Sequence, residues 1–381
     1  MLSSRACMAA AMRREKPHRI PLMCQPSWGF VLRQIPELDP IDFWHNHNGA
    51  SARAFCEITT RFGFDGVLLP AVGAAPLDEG EVERIDRDNP EGPVVHFRNG
   101  DSCVYCRHEL PRYTHRTPVE RDIETFDSAD IPERLGYHPP TTGLRMRLCE
   151  DPAGRVAELT QARALIGNDV SLHGSLYSPE DYLIDLLGVE GAMIALIAEP
   201  EKSRDILMRF AAAVAAHARE QIAAGVDALG VSAPWSGQRL ISRRMYGDLI
   251  APAQAVLART CREAGVPCYC HTCGAIGDRL EMIVDAGFDG IECLDPPPLG
   301  NVELEDAVRR IGGRAFIKGN IDPVNVLLRG PPDRIREDVR RRLAIGASAP
   351  GFILSTACSI APATPASHVA LLRETVGRFG T

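Results

Sequence analysis

Short apolar runs alternate with longer amphipathic segments along most of this chain. Eight runs have the length and composition of buried strands, at residues 19–24, 66–69, 170–173, 228–232, 267–271, 290–293, 315–318 and 352–355. Helical spacing of apolar positions follows in segments such as 201–224, 243–264, 276–286, 303–311 and 333–345. Because eight strand–helix units favour a closed parallel sheet, we predict an α/β fold in which residues 1–381 form a single distorted (β/α)8 TIM barrel.

One part of the chain does not follow this alternation. The stretches 94–98 and 102–107 flank Asn99-Gly100, a dipeptide typical of tight hairpin turns. We therefore predict a β-hairpin at about residues 93–108, inserted after the second barrel strand. A polar, proline-rich stretch continues the insertion, which spans about residues 90–145.

The composition of the chain limits the partners and the cellular location that we expect for this protein. The 381 residues are 45% hydrophobic and 24% charged, with a formal net charge of -8, which argues against binding nucleic acid. No apolar stretch has the length needed to span a membrane, and the first sixteen residues lack the apolar core of a signal peptide. We expect a cytoplasmic protein that begins with an amphipathic helix, whose twelve cysteines stay reduced.

Three residues in the last third of the chain have the chemistry of a metal site. His271 and Cys273 form a His-x-Cys pair at the end of the fifth predicted strand, and Cys358 follows the eighth. One imidazole and two thiolates are ligands that zinc accepts while keeping a fourth position open for substrate. Because active sites of such barrels lie at the carboxyl ends of the strands, the three residues are predicted to converge on a Zn2+ site there.

Strand alternation separates these ligands from the neighbouring cysteines. Cys268 and Cys270 lie one residue out of phase with His271, and Cys293 is out of phase with Glu292, so all three are predicted to pack against the outer helices. The same argument places Cys103 and Cys106 on opposite faces of a strand, which disfavours a metal pair.

Other polar residues fall at the same carboxyl-terminal ends. Glu292 ends the sixth strand and is assigned a catalytic role as a displaceable fourth ligand; the alternatives are a solvated carboxylate and one that supports a ligand. His173 is expected at the end of the third strand, for acid–base chemistry or hydrogen bonding. Trp235 follows the fourth strand, and Asn320 and Asp322 follow the seventh, and all three are assigned to cofactor contact at the barrel mouth.

A histidine pair near the start of the chain resembles a metal motif less closely than His271, Cys273 and Cys358 do. His45 and His47 precede the helical pattern of residues 51–61. We expect this segment to cap that helix or to lie on the surface.

Several motifs resemble the uroporphyrinogen decarboxylase superfamily, specifically its zinc- and cobalamin-dependent methyltransferase branch. They are Leu-Ile-Ser-Arg-Arg-Met-Tyr at 240–246, Cys-His-Thr-Cys-Gly at 270–274, Ala-Gly-Phe-Asp-Gly at 286–290, Lys-Gly-Asn-Ile-Asp-Pro at 318–323 and Ser-Thr-Ala-Cys-Ser-Ile-Ala-Pro-Ala-Thr-Pro at 355–365. The resemblance implies a distorted barrel in which His271, Cys273 and Cys358 hold zinc. It also implies methyl transfer between a corrinoid (methylcobalamin, as substrate or on a corrinoid-binding partner protein) and a small thiol or methylated small molecule.

This chain lacks two features of the superfamily's decarboxylases, and their absence affects the reaction that we predict. Decarboxylases of the superfamily carry an arginine-rich run after the first strand and a catalytic aspartate after the second, whereas residues 24–30 contain no arginine and residues 64–72 lack an acid at the expected place. Porphyrinogen decarboxylation is therefore not expected.

Three alternative functions remain open. They are a demethylase that methylates a corrinoid protein, a thiol methyltransferase resembling cobalamin-independent methionine synthases, and a non-catalytic corrinoid-binding protein. Because no Asp-x-His-x-x-Gly signature is present, we expect any corrinoid to arrive on a partner.

Overall fold

A computed structural model describes residues 3–116, 123–124 and 126–380. Its strands are β1 (Gly66–Leu68), β2 (Val82–Asp86), β3 (Val94–Phe97), β4 (Ser102–Val104), β5 (Arg112–Thr114), β6 (Tyr137–His138), β7 (Met146–Arg147), β8 (Ser171–Tyr177), β9 (Ala228–Ser232), β10 (Cys268–Thr272), β11 (Gly290–Cys293), β12 (Phe316–Ile321) and β13 (Phe352–Thr356). In the central sheet, seven parallel strands lie in the order β1-β8-β9-β10-β11-β12-β13. The predicted α/β barrel is confirmed.

Helices follow the strands and pack around the sheet. They are α1 (Ser4–Met12), α2 (Trp28–Gln34), α3 (Pro40–Trp44), α4 (Ala50–Phe62), α5 (Ala157–Ile166), α6 (Pro179–Ala198), α7 (Pro200–Ala223), α8 (Arg243–Met245), α9 (Ala251–Glu263), α10 (Leu280–Asp285), α11 (Leu304–Ile311), α12 (Pro332–Gly346) and α13 (Ala366–Phe379). Ser178 and Asp181 form a capping box at the start of α6, with Pro179 in the first turn. In the described part of the chain, none of the helices combines the length and apolar character needed to cross a bilayer.

The segment before α2 takes the place of an eighth barrel strand. Leu22 forms a parallel bridge with Leu354 of β13, and the amide of Asp65, which precedes β1, donates to the carbonyl of Leu22 at 2.7 Å. The buried Asp65 carboxylate accepts the Leu22 amide at 2.7 Å and pairs with Arg19 and Arg373 at 2.6 and 2.9 Å. One carboxylate thus ties the first strand position to the last helix and closes the ring.

The predicted hairpin is present within a larger insertion. β3 and β4 pair antiparallel around Asn99 and Gly100, and the φ of 88° at Gly100 is one that glycine adopts without strain. The side chain of Asn99 accepts the amide of Asp101 at 2.9 Å. β2 and β5 extend the hairpin to a four-stranded antiparallel sheet, which the sequence pattern did not predict.

The histidine pair near α4 has separate environments. His45 is buried and lies 2.7 Å from the hydroxyl of Tyr105, whereas His47 is exposed beside Asp42. The intervening Asn46 accepts hydrogen bonds from the first turn of α4, as expected of a capping segment.

Candidate metal centre

The structure brings His271, Cys273 and Cys358 together at the carboxyl ends of the barrel strands. β10 ends at Thr272, between His271 and Cys273, and Cys358 lies two residues beyond β13. The Cys273 sulfur is 3.4 Å from Nε2 of His271 and 3.6 Å from the Cys358 sulfur. Hydrogen bonds from Cys273 and from Cys293 lower the pKa of the Cys358 thiol well below its ordinary value.

Cys293 belongs to the same group. One ligand atom from each of His271, Cys273, Cys293 and Cys358 lies within 4.8 Å of all the others. Strand alternation placed Cys293 against the outer helices, and this expectation is wrong. Cys293 has a φ of 89° and Leu294 a φ of 55°, so the backbone leaves the β conformation at the end of β11 and the thiol turns toward the cluster.

A buried carboxylate lies behind the histidine. Oε2 of Glu292 is 3.1 Å from Nδ1 of His271, and its other oxygen accepts a hydrogen bond from Lys318 of β12. Burial acts to raise the pKa of Glu292, but Lys318 and His271 hold it at about 2. Burial likewise acts to lower the pKa of His271, while the neighbouring Cys273 and Glu292 raise it well above its usual value. Glu292 therefore contacts the side of the imidazole remote from the three sulfurs.

His173 does not lie where the sequence predicted. β8 continues for four residues beyond it, to Tyr177, and His173 pairs with Ala228 at the start of β9. The ring is fully buried inside the barrel, 3.0 Å from Oγ of Ser171 and 3.1 Å from the hydroxyl of Tyr269. Burial lowers the pKa of His173 to about 3. The expected position at the carboxyl ends of the strands is wrong, and His173 is a neutral core residue.

The three residues assigned to cofactor contact have different surroundings. Trp235 is half-buried in the loop after β9. Asn320 lies within β12 and not after it; its side-chain nitrogen donates to the carbonyl of Leu294 at 2.8 Å, and its side-chain oxygen accepts from Arg342 of α12. Asp322 caps the turn that follows β12, accepting the amides of residues 324 and 325. The polar atoms of Asn320 and Asp322 are thus engaged by the protein itself, and the cofactor assignment remains a prediction.

Two cavities lie near the barrel mouth. A cavity of about 310 Å³ is lined by residues after the first, second and last strand positions, among them Gln25, Trp28, Pro70 and Ser359, the residue after Cys358. A larger one, of about 1190 Å³, lies between the insertion and α6, and its lining includes none of the four clustered donors. The lining of the smaller cavity also includes none of the four donors, and Ser359 is its link to the segment that carries Cys358.

Fold and site together define a (β/α)8-barrel protein with a thiolate-rich metal-type cluster at the carboxyl ends of its strands. Residues 145–379 match the family described as uroporphyrinogen decarboxylase (URO-D). A uroporphyrinogen decarboxylase of Burkholderia mallei (strain SAVP1) is 30% identical over 275 residues, covering 71% of this chain and 71% of that protein. The chain belongs to the uroporphyrinogen decarboxylase family, as its motifs indicated.

One further relative and one solved structure are methyltransferases. The methylcobamide:CoM methyltransferase MtaA of Methanosarcina barkeri (strain Fusaro / DSM 804) is 27% identical over 210 residues, which cover 55% of this chain and 59% of that protein. A solved methyltransferase from Methanosarcina mazei superposes with a TM-score of 0.73 at 19% identity, covering 100% of this chain and 99% of the other. The superposition establishes the shared fold.

Proposed function

We propose that this protein is a zinc-dependent methyltransferase that moves a methyl group between a corrinoid and a small thiol or methylated molecule. The observation that carries the proposal is the donor group of His271, Cys273 and Cys358. Zinc–sulfur bonds of about 2.3 Å and zinc–nitrogen bonds of about 2.0 Å give tetrahedral edges of roughly 3.5–3.8 Å. The distances of 3.4 Å between nitrogen and sulfur and 3.6 Å between the two sulfurs fit those edges.

Glu292 and Lys318, which lie behind the proposed ligands, support zinc binding. Because Nδ1 of His271 faces Glu292, Nε2 is presented to the sulfurs as a ligand. Lys318 supplies a buried positive charge that compensates the carboxylate close to a thiolate-rich site. Bound zinc would lower the pKa of a coordinated substrate thiol, so that the thiolate exists at neutral pH.

The reaction follows from that thiolate. With zinc held by His271, Cys273 and Cys358, the sulfur would form a bond to the methyl carbon of a methylcorrinoid, while the cobalt–carbon bond would break with both electrons left on cobalt. The cavity of about 310 Å³ that Ser359 helps to line has room for a small thiol but not for a corrinoid. The corrinoid would therefore approach from outside the mouth, carried by a partner protein.

The decarboxylase relatives make decarboxylation the competing activity. At the carboxyl end of the first strand position this chain has Gln25, Ser27 and Trp28, which line the small cavity and carry no positive charge. A porphyrinogen presents several carboxylates, which need cationic partners. Among the described residues, the small cavity therefore offers no cationic partner for a carboxylate, which favours methyl transfer, in either direction, over decarboxylation there.

Replacing Cys273 by alanine tests the proposal. Purified Cys273→Ala protein is expected to lose both its zinc and its methyl transfer from methylcobalamin to a panel of small thiols. Cys268→Ala is the matched control, because that thiol lies on the opposite face of β10 from His271. A zinc-free Cys273→Ala variant that still transferred methyl groups would contradict the proposal, as would turnover of uroporphyrinogen by the wild-type protein.

A further inference from the structure

The donor cluster contains one more sulfur than an open catalytic zinc site needs. Zinc sites with four protein ligands are typically structural, whereas catalytic sites keep one position for substrate. We propose that Cys293 is the fourth protein ligand of the resting site and the ligand that an incoming substrate thiol replaces. The proposal rests on the proposed function, whose zinc site it completes.

The backbone gives Cys293 its place in the cluster. A regular strand would direct the side chain after Glu292 toward the outer helices. Instead, two consecutive residues without glycine's freedom, Cys293 and Leu294, adopt positive φ angles of 89° and 55°. Such conformations persist where the surrounding structure imposes them, and here they aim a thiol at His271.

Cys293 also has a hydrogen-bond partner outside the donor cluster, which makes it the ligand best suited to leave the zinc. Its sulfur lies 3.5 Å from Oδ2 of Asp295, whose Oδ1 is buried without a hydrogen-bond partner among the described residues. Asp295 is itself held by the backbone amide of Gly274 at 2.6 Å. By contrast, Nδ1 of His271 faces the Glu292 carboxylate at 3.1 Å, on the side of the ring away from the sulfurs. A thiol released from the site can therefore hydrogen bond to a positioned carboxylate.

The exchange balances within the buried site. The incoming thiol gives its proton to the Cys293 sulfur and takes its place as a thiolate, and the neutral Cys293 thiol donates to Asp295. One sulfur–hydrogen bond breaks and another forms, so the number of thiolates and the net charge are unchanged. No charge has to be added to a water-poor site when substrate binds.

X-ray absorption at the zinc edge tests this on the wild-type protein, prepared with a phosphine reductant so that no other thiol is present. We expect three sulfurs and one nitrogen around zinc. The probe 2-hydroxyethaneselenol should then add one selenium and remove one sulfur. Two sulfurs in the resting protein would overturn the assignment of Cys293. Selenium bound beside three sulfurs, or no bound selenium, would overturn the exchange.

Variants separate this inference from the proposed function. Cys293→Ser is expected to show two sulfurs at rest, and Cys270→Ser, which alters a thiol on the outer face of β10, should keep three. If Cys293→Ser fails to fold, the wild-type sulfur count still decides the assignment. A wild-type protein that binds no zinc contradicts the proposed function, whereas three sulfurs without methyl transfer would leave the ligand assignment standing and remove the activity.

Discussion

Nδ1 of His271 lies 3.1 Å from Oε2 of Glu292, and the other carboxylate oxygen accepts a hydrogen bond from Lys318. The three residues come from adjacent strands, β10, β11 and β12, and are in register. The imidazole is therefore oriented by side chains that the sheet itself aligns.

Glu292→Gln should weaken zinc binding without changing the set of ligands. Carboxylates that support a ligating histidine typically contribute roughly 10- to 100-fold to metal affinity. The measurement is the zinc dissociation constant from chelator competition. Glu281→Gln is the matched control, because Glu281 pairs with Arg310 outside the barrel. Equal affinities for Glu292→Gln and wild type would remove the supporting role.

Lys318→Met should destabilise the metal-free protein by about 3–5 kcal/mol, since it leaves Glu292 in a dry interior without its lysine partner. Adding Glu292→Gln removes the uncompensated charge, so the double variant should recover much of the lost stability. Urea unfolding of the three proteins measures both effects. A double variant no more stable than Lys318→Met would show that charge compensation is not the cause.

Asp65→Asn should destabilise the protein, because Asp65 lies where the barrel closes. The variant loses ion pairs with Arg19 and Arg373, and we expect the free energy of unfolding to fall by about 3–5 kcal/mol at pH 7. These partners hold the pKa of Asp65 below its ordinary value against the opposing effect of burial. Its contribution is therefore present above the unfolded-state pKa of about 3.9 and is lost as the pH falls through the lowered folded-state pKa.

The difference between Asp65→Asn and wild type should accordingly shrink in acid. Asp42→Asn is the control, because Asp42 is half-exposed and its ion-pair partner in the described part of the chain is an exposed His47. A constant difference from pH 7 to pH 3 would contradict the electrostatic explanation.

Glu158→Gln should stabilise the protein at alkaline pH. Burial raises the pKa of Glu158 to about 8, although a hydrogen bond from Ser51 opposes the rise. Because the folded-state pKa lies above the unfolded one, the wild type loses stability between about pH 4.5 and pH 8, at roughly 1.4 kcal/mol per pH unit. The glutamine avoids that loss and can still accept from Ser51. Chemical denaturation at pH 5 and pH 8 should show an advantage of several kcal/mol only at pH 8.

The sequence was sufficient to locate seven strands of the barrel and the tight turn of the insertion, whereas the predicted first strand at 19–24 forms only isolated bridging contacts. These features depend on local apolar runs and on Asn99-Gly100, which act over a few residues. The convergence of His271, Cys273 and Cys358 followed from the topology, since parallel strands of a barrel end on one side.

The errors have a common physical origin, because strand phase and strand length depend on the surrounding fold. His173 was misplaced because β8 extends to Tyr177, beyond the apolar run. Cys293 was misassigned because strand alternation fails where the backbone adopts a positive φ. The sequence has no glycine at that position that would have indicated such a conformation. The strands β2 and β5 depend on pairing with the hairpin, which a single segment does not reveal.

The seam at Leu22 has one more consequence. There the barrel is joined by isolated bridges instead of a continuous ladder, and Cys358 follows the strand on one side of that seam. Zinc held between Cys358 and the ends of β10 and β11 would act as a clasp across the mouth, fastening the last strand to the middle of the chain. Metal loading would then slow amide exchange along β13 and Leu22 more than elsewhere in the ring.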